Sequence, residues 1–329
     1  MKKNLFLIAI ALISILALST IQASCIDIND TKFLSQPAIN GSHVAFVYAG
    51  DLWRADLDGK NVHRLTSDDG IESNPVFSPN GKLIAFSAQY DGNTDVYIVP
   101  VEGGIPKRLT WHPGSDIVRG FTPDGSSVLF VSPRNVFTNR YRKLFTVPIK
   151  GGYPESLKIP YAYKAAYSPD GKRLAYNPIS ERFRQWKNYR GGTASTIWLY
   201  TFVDYSVIKI PQPEGRCNDI DPMWIGDKVY FLSDRNGEFN LFNYDIESKE
   251  IKQLTQFTDF PILYASAGNN KIIFEQAGHL HTFDLLHNQN KKLTIGVATD
   301  LMELRPRYAK GSRYVRSASI CQTRDWRHQ

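Results

Sequence analysis

Apolar residues along this chain fall in short alternating runs with a period of two, and the runs are separated by Gly, Pro, Asn and Asp. One run and its turn recur. Ser78-Pro79-Asn80-Gly81-Lys82-Leu83-Ile84-Ala85-Phe86 returns as Thr122-Pro123-Asp124-Gly125-Ser126-Ser127-Val128-Leu129-Phe130, and again as Ser168-Pro169-Asp170-Gly171-Lys172-Arg173-Leu174-Ala175-Tyr176. Weaker copies begin at Gly41, Gly226 and Asn269. The closing aromatics are Phe46, Phe86, Phe130, Tyr176, Phe231 and Phe274, at intervals of 40 to 55 residues.

Two further elements keep step with this one. After each closing aromatic comes a segment of the Asp51-Leu52-Trp53 or Asp95-Val96-Tyr97 type, and after that one of the Arg64-Leu65-Thr66 or Arg108-Leu109-Thr110 type. Pro-Asp-Gly presets one φ and then supplies a positive one, which makes a tight turn between strands. Each unit therefore holds four half-buried strands, represented by Pro75-Val76-Phe77, Ile84-Ala85-Phe86, Val96-Tyr97-Ile98 and Arg108-Leu109-Thr110. Four strands at this period make a β-propeller blade. A stacked solenoid would not need four strands per repeat. The expected fold is all-β: a six-bladed β-propeller of four antiparallel strands per blade, with WD40-like and TolB-like repeats, over residues 35–296. No strand is shared across the closure in this strand order, so the ring is expected to close mainly by side-chain packing, unless 26–34 or 297–308 lends a strand.

Composition supports this reading. The chain has 329 residues, 42% of them hydrophobic and 12% aromatic, with 23 Gly and 18 Pro to punctuate the strands. Lys2, Lys3 and the apolar run from Leu5 to Leu18 read as a signal peptide (1–23) cleaved after Ala23, too short to span a membrane. Cys25 suggests a lipid anchor, but Gln22 stands where that signal wants an aliphatic residue. Residues 24–34 are then a leader, and the expected location is periplasmic or extracellular. The formal charge of +7 falls to +5 without Lys2 and Lys3. That surplus is unclustered and gives no nucleic-acid footprint. Three cysteines, Cys25, Cys217 and Cys321, build no disulfide framework.

Candidate chemistry is sparse. Blade four carries an insertion between Tyr176 and Trp198, where Phe183, Trp186 and Tyr189 interleave with Arg182, Arg184, Lys187 and Arg190. This pattern suits an ordered loop that binds a peptide, a carboxylate or a neighbouring domain; a loop packed on the propeller through cation–π pairs is the alternative. Asp91, Asn93, Asp95 and Glu102 imitate a calcium loop, yet Val96 stands where that loop requires Gly, so a hairpin turn is expected. His279 and His281 share a strand face without a third ligand at recognisable spacing, and read as packed or exposed imidazoles. Neither Gly-x-Ser-x-Gly nor His-Glu-x-x-His occurs. No catalytic residue, metal or cofactor is therefore assigned.

Several stretches resemble the tricorn protease homologues of bacteria. They are Asp69 to Pro113, the run Phe183-Arg184-Gln185-Trp186-Lys187-Asn188-Tyr189-Arg190-Gly191-Gly192, Phe231 to Gly237, Gln253 to Phe260 and Glu303 to Arg307. The resemblance covers about residues 32 to 320. It implies a large oligomeric serine peptidase that degrades oligopeptides, in which a six-bladed propeller precedes a seven-bladed one, a PDZ-like domain and a C-terminal catalytic part. On this reading 297–320 is a linker with the first strand of a second propeller, and 321–329, which departs from the family pattern, is an aberrant tail left by truncation or frameshift. The fragment would be catalytically inactive, offering a peptide channel and an assembly surface to the remaining domains. By family analogy the location could instead be cytoplasmic. The resemblance also implies basic residues near the channel that hold peptide carboxylates. Arg119 is the basic residue in that neighbourhood, and with Arg184, Trp186, Lys187, Tyr189 and Arg190 it makes the expected peptide-binding set. A free-standing periplasmic module like TolB, binding protein partners, is the second reading.

Overall fold

The Ser/Thr-Pro-Asp/Asn-Gly segments form the tight turns that their sequence demands. In the first, the Asn80 side chain accepts from Ser78 Oγ (2.8 Å) and the Leu83 amide donates to the same Ser78 Oγ (2.9 Å). Gly81, Gly125 and Gly171 take φ of 70°, 70° and 69°, a region where a side chain is strained. Thr122 with Asp124 and Ser168 with Asp170 repeat the arrangement.

The computed structural model describes residues 27–138, 141–181 and 188–299. These form six sheets, each a four-stranded antiparallel meander in chain order. Blade two shows the plan: an inner strand Glu72–Phe77, then Leu83–Ala88, Asp95–Pro100 and a short outer strand Lys107–Arg108. The remaining inner strands are Ser35–Ile39, Ile117–Phe121, Lys164–Tyr167, Asp219–Ile225 and Ile262–Gly268. Among the described residues no helix is long and apolar enough to cross a membrane. The signal peptide, Cys25 and the segment from Asp300 onward lie outside the described residues.

The closing aromatics are the centres of the sheets. Phe46, Phe86, Phe130, Phe231 and Phe274 are wholly buried, and Tyr176 nearly so. Each faces a partner on the third strand: Trp53, Tyr97, Phe145, Trp198, Phe242 and His281 stand opposite Phe46, Phe86, Phe130, Tyr176, Phe231 and Phe274 respectively. The apolar clusters run between blades rather than within them. Ala85, Val96 and Ile98 of blade two pack against Val118, Phe121, Val128 and Phe130 of blade three.

The Asp-x-aromatic and Arg-Leu-Thr motifs turn out to be halves of one device. Thr110 Oγ1 accepts from the Val96 amide (3.0 Å) and bonds Asp95 Oδ1 (3.1 Å), while Arg108 bonds Asp95 Oδ2 (2.6 Å) and the Thr110 carbonyl (2.8 Å). Blade one repeats it with Asp51, Arg64 and Thr66, and blade five with Asn240, Gln253 and Thr255. The outer strand is only two or three residues long in these blades. This side-chain clamp supplies the bonds that so short a ladder cannot.

Every seam between blades carries the same backbone hydrogen bond. The residue entering or just ahead of an inner strand donates its N–H to the carbonyl preceding the third strand of the blade before. The pairs are Glu72 to Gly50, Asp116 to Thr94, Ala162 to Arg142, Asp219 to Ser195, Ile262 to Phe239 and Phe33 to Gly278, at 2.8 to 3.0 Å. The last of these is the closure. Closure mainly by packing, with no strand lent, is what the described residues show, and a few backbone bonds of the kind found at the other seams add to it. The leader bonds blade six through Phe33 and through Thr31 N to Ile295 O (2.8 Å), without becoming a fifth strand of that sheet. Thr31 Oγ1 takes the Val297 amide, and Asp30 takes Lys292 Nζ. Leu34 joins Ile39, Phe46, Trp53, Ile273, Leu280, Leu293 and Ile295 in the core of that seam. Backbones approach so closely there that a Cβ at Gly59 would collide with the Thr294 carbonyl oxygen.

Candidate functional site

The six inner strands converge on one axial channel, a cavity of about 470 Å³ to which each of them contributes. An inner strand is an edge strand, and an edge tolerates proline and bulges that an internal strand does not. The sequence uses this freedom repeatedly. The pairing of the inner strands with their neighbours slips at Gln36–Pro37, Asn74–Pro75, Arg119, Asp221–Pro222 and Tyr264–Ala265. Gln36, Asn74, Asp221 and Tyr264 take φ of 50°, 53°, 49° and 50°, an uncommon conformation for residues with side chains. Blade four alone among these strands keeps a continuous ladder, from Lys164↔Asn177 to Tyr167↔Leu174. Each bulge re-aims a polar side chain, so Gln36, Asn74, Arg119, Asp221 and Tyr264 line the channel, and Lys164 joins them from the unbroken strand of blade four.

These residues are linked. The Asn74 amide donates to Gln36 Oε1 (2.7 Å), and Arg119 Nη1 donates to Asn74 Oδ1 (3.0 Å). Arg119 Nε donates to the Tyr163 carbonyl (2.6 Å), and its guanidinium lies 4.8 Å from the Tyr163 ring centroid. Burial lowers the Arg119 pKa from its ordinary value, although a guanidinium keeps its proton in water. Lys164 Nζ pairs with Asp221 Oδ1 (2.6 Å) and lies 3.9 Å from Glu181. The bonds of Lys164 go to carboxylates and those of Arg119 to neutral oxygens, while Glu181 and Asp221 act on the Arg119 charge from further off. A channel of this kind offers a positive group at blade three beside small apolar surfaces such as Ala165, Ala166 and Ala267.

Of the residues expected from sequence, Arg119 lies in the channel. Arg184, Trp186 and Lys187 lie outside the described residues. Tyr189 and Arg190 are placed at the junction with blade five. Arg190 donates to Asp234 Oδ2 (2.6 Å) and to the Asp234 carbonyl (3.2 Å). Asn218 bridges Asp234 Oδ2 and the Tyr189 carbonyl (both 2.9 Å), and Thr193 donates to the Tyr189 hydroxyl. Arg190 and Tyr189 therefore fasten this end of the insertion to the propeller. Sequence reasoning missed Gln36, Asn74, Lys164 and Asp221. Three residue-Pro pairs at corresponding places in the repeat were the available signal.

The remaining motifs resolve into structure. Asp91 and Asp95 hold Arg108, and Glu102 pairs with Arg54 (2.9 Å), so the calcium-like acids already have cations. His281 stacks on Phe274 at 5.7 Å and His279 faces Asp30 at 3.6 Å; burial lowers both imidazole pKa values. The buried Cys217 thiol is pushed up to about 12 by burial. Among the described residues no cluster of three or more His, Cys, Asp or Glu could hold a metal.

Comparison with known proteins places this architecture. Residues 31–289 match the family described as the tricorn protease N-terminal beta propeller domain. Tricorn protease homolog 1 of Streptomyces coelicolor is 30% identical over 290 residues, covering 87% of this chain and 27% of that protein. The crystal structure of the tricorn protease superposes with a TM-score of 0.71 at 25% identity, covering 82% of this chain and 27% of that one. The Tol-Pal system protein TolB of Francisella tularensis is 30% identical over 160 residues, 47% of this chain and 34% of that protein. The chain spans about a quarter of the length of the tricorn relatives that it matches. It belongs to the family of tricorn protease N-terminal β-propeller domains.

Proposed function

We propose that this chain is the channel-bearing N-terminal propeller of an exported, tricorn-like serine peptidase, and that peptides or their cleavage products occupy its axial channel. The observation that supports this reading is the channel itself, in a chain of this family: six inner strands around about 470 Å³, within the size range of ligand cavities, with Arg119 hydrogen-bonded to neutral oxygens. In this reading Arg119 receives a peptide carboxylate, Arg184, Trp186 and Lys187 add a cationic, aromatic loop from blade four, and Tyr189 and Arg190 anchor the end of that loop beside Asp234. The catalytic serine and histidine belong to other domains, which assemble on the propeller into a larger oligomer. The likeness to TolB extends over less of this chain, and supports a protein-binding module as the second reading.

Fluorescence anisotropy with short labelled peptides tests the proposal. The purified chain should bind them weakly and saturably, and Arg119→Gln should weaken binding about tenfold, the effect of losing one charge-assisted hydrogen bond. Equal affinity in the variant would remove Arg119 from the site. The chain should take up no serine-directed probe and cleave no peptide; labelling would place catalysis in the propeller itself.

A further inference from the structure

Three blades place a carboxyl at the inner-strand seam position: Glu72, Asp116 and Asp219, all 0% exposed. Two of the three have an arginine for it. Asp116 pairs with Arg134 and Asp219 with Arg235 (2.9 Å for the latter). Each guanidinium also lies over the two central aromatics of its blade, at 5.2 to 5.3 Å from the centroids of Phe130 and Phe145 or Phe231 and Phe242. Both arginines stand four residues after the closing aromatic. In blade two that place belongs to Tyr90, whose ring packs edge-on against Tyr97 at 4.8 Å. A phenol thus fills the space of the cation without supplying its charge.

Glu72 is left in an unusual state. Neither carboxyl oxygen nor the buried Tyr90 hydroxyl makes a hydrogen bond of standard geometry. The groups facing Glu72 are Asp51, which is held by Arg64 (2.7 Å), and the hydroxyls of Thr66 and Tyr90. Beyond them, Asp68 faces Tyr90, and Arg108 with Asp91 and Asp95 faces Tyr97. Burial is the largest influence on the Glu72 carboxyl and pushes it up to about 7, with Asp51 adding to the rise and the two hydroxyls opposing it.

Glu72 is also a structural joint. Its amide makes the seam bond to Gly50 (2.8 Å). Two residues further on, Asn74 bonds both Gln36 and Arg119 in the channel. We propose that Glu72 is a proton-operated catch in the seam between blades one and two, closed while its carboxyl is protonated and loosened when it ionises, with the change passed along the inner strand to the channel ring. The proposal stands whether or not the channel takes peptides.

The whole chain labelled with ¹³C at glutamate carboxyls tests it by NMR. One glutamate should titrate near neutrality; if all titrate in the ordinary range near about 4.3, the proposal is overturned. Amide exchange gives the mechanical half. The opening constant of the blade-one/blade-two seam should rise about tenfold per pH unit between about pH 5 and pH 7 and then level off, because only the opened seam releases the proton at these pH values. Glu72→Gln should abolish that slope, and Tyr90→Arg, which restores the cation of the sister blades, should return the carboxyl to its ordinary range. The same slope in wild type and Glu72→Gln would overturn the proposal. The carboxyl titration uses the unaltered chain, so it decides the matter even if both variants misfold.

Discussion

Arg235 shows how much one residue can do in this fold. Its guanidinium bonds Asp219, its Nε and its amide share the Ser233 hydroxyl, and it covers Phe231 and Phe242. Removing one partner of a buried pair strands the other charge. Arg235→Ala should therefore lower unfolding free energy in urea by about 3–5 kcal/mol, and adding Asp219→Asn should recover part of the loss. Additive losses from the two substitutions would mean that the pair is not coupled. Little of this was visible in the sequence. Arg134 and Arg235 lie just outside the apolar repeat, and only the register of the folded blade shows that they answer acids about sixteen to eighteen residues earlier. Arg119 could be singled out from its neighbourhood, but its partners, Asn74 and Tyr163, come from two other blades.

Strands were far more legible than their fastenings. Short apolar runs located the strands of blade two, although its two central strands, Leu83–Ala88 and Asp95–Pro100, are buried on both faces rather than one, and the Pro-Asn-Gly turn fixed where the first hairpin reverses. The Arg-Leu-Thr segment read as a strand, but the outer strand, Lys107–Arg108, ends at the Arg, and the main role of the segment is the clamp made by Arg and Thr on the Asp of the third strand. Thr110→Val keeps the shape and removes the hydroxyl that serves Val96 N and Asp95. It should cost about 1–3 kcal/mol and raise amide exchange at Val96 and Leu109 before the rest of the blade. Uniform loss of protection through the blade would argue against a local clamp. The bulges escaped notice for a physical reason: alternation reports which face is buried, and a bulge changes which way a side chain points without changing hydrophobicity.

For the whole molecule, the count of blades and the packed closure followed from the repeat, but the backbone bonds of the leader did not. A backbone hydrogen bond leaves no mark in the side-chain pattern, so the bonds by which the leader completes the sixth seam could not be read from it. Leu34→Ala should accordingly cost about 2–5 kcal/mol, as a core truncation does, whereas a passenger segment would register within about 0.5 kcal/mol. The same ring sets the channel, and the channel carries the functional reading. Its most direct test is a nitroxide-tagged peptide added to the chain with ¹³C-labelled methyl groups, read by paramagnetic broadening. The account expects saturable broadening of Val76, Ala165, Ala166 and Met223, which line the channel. Broadening confined to outer-strand methyls such as Val207 and Ile251, or none at all, would contradict it.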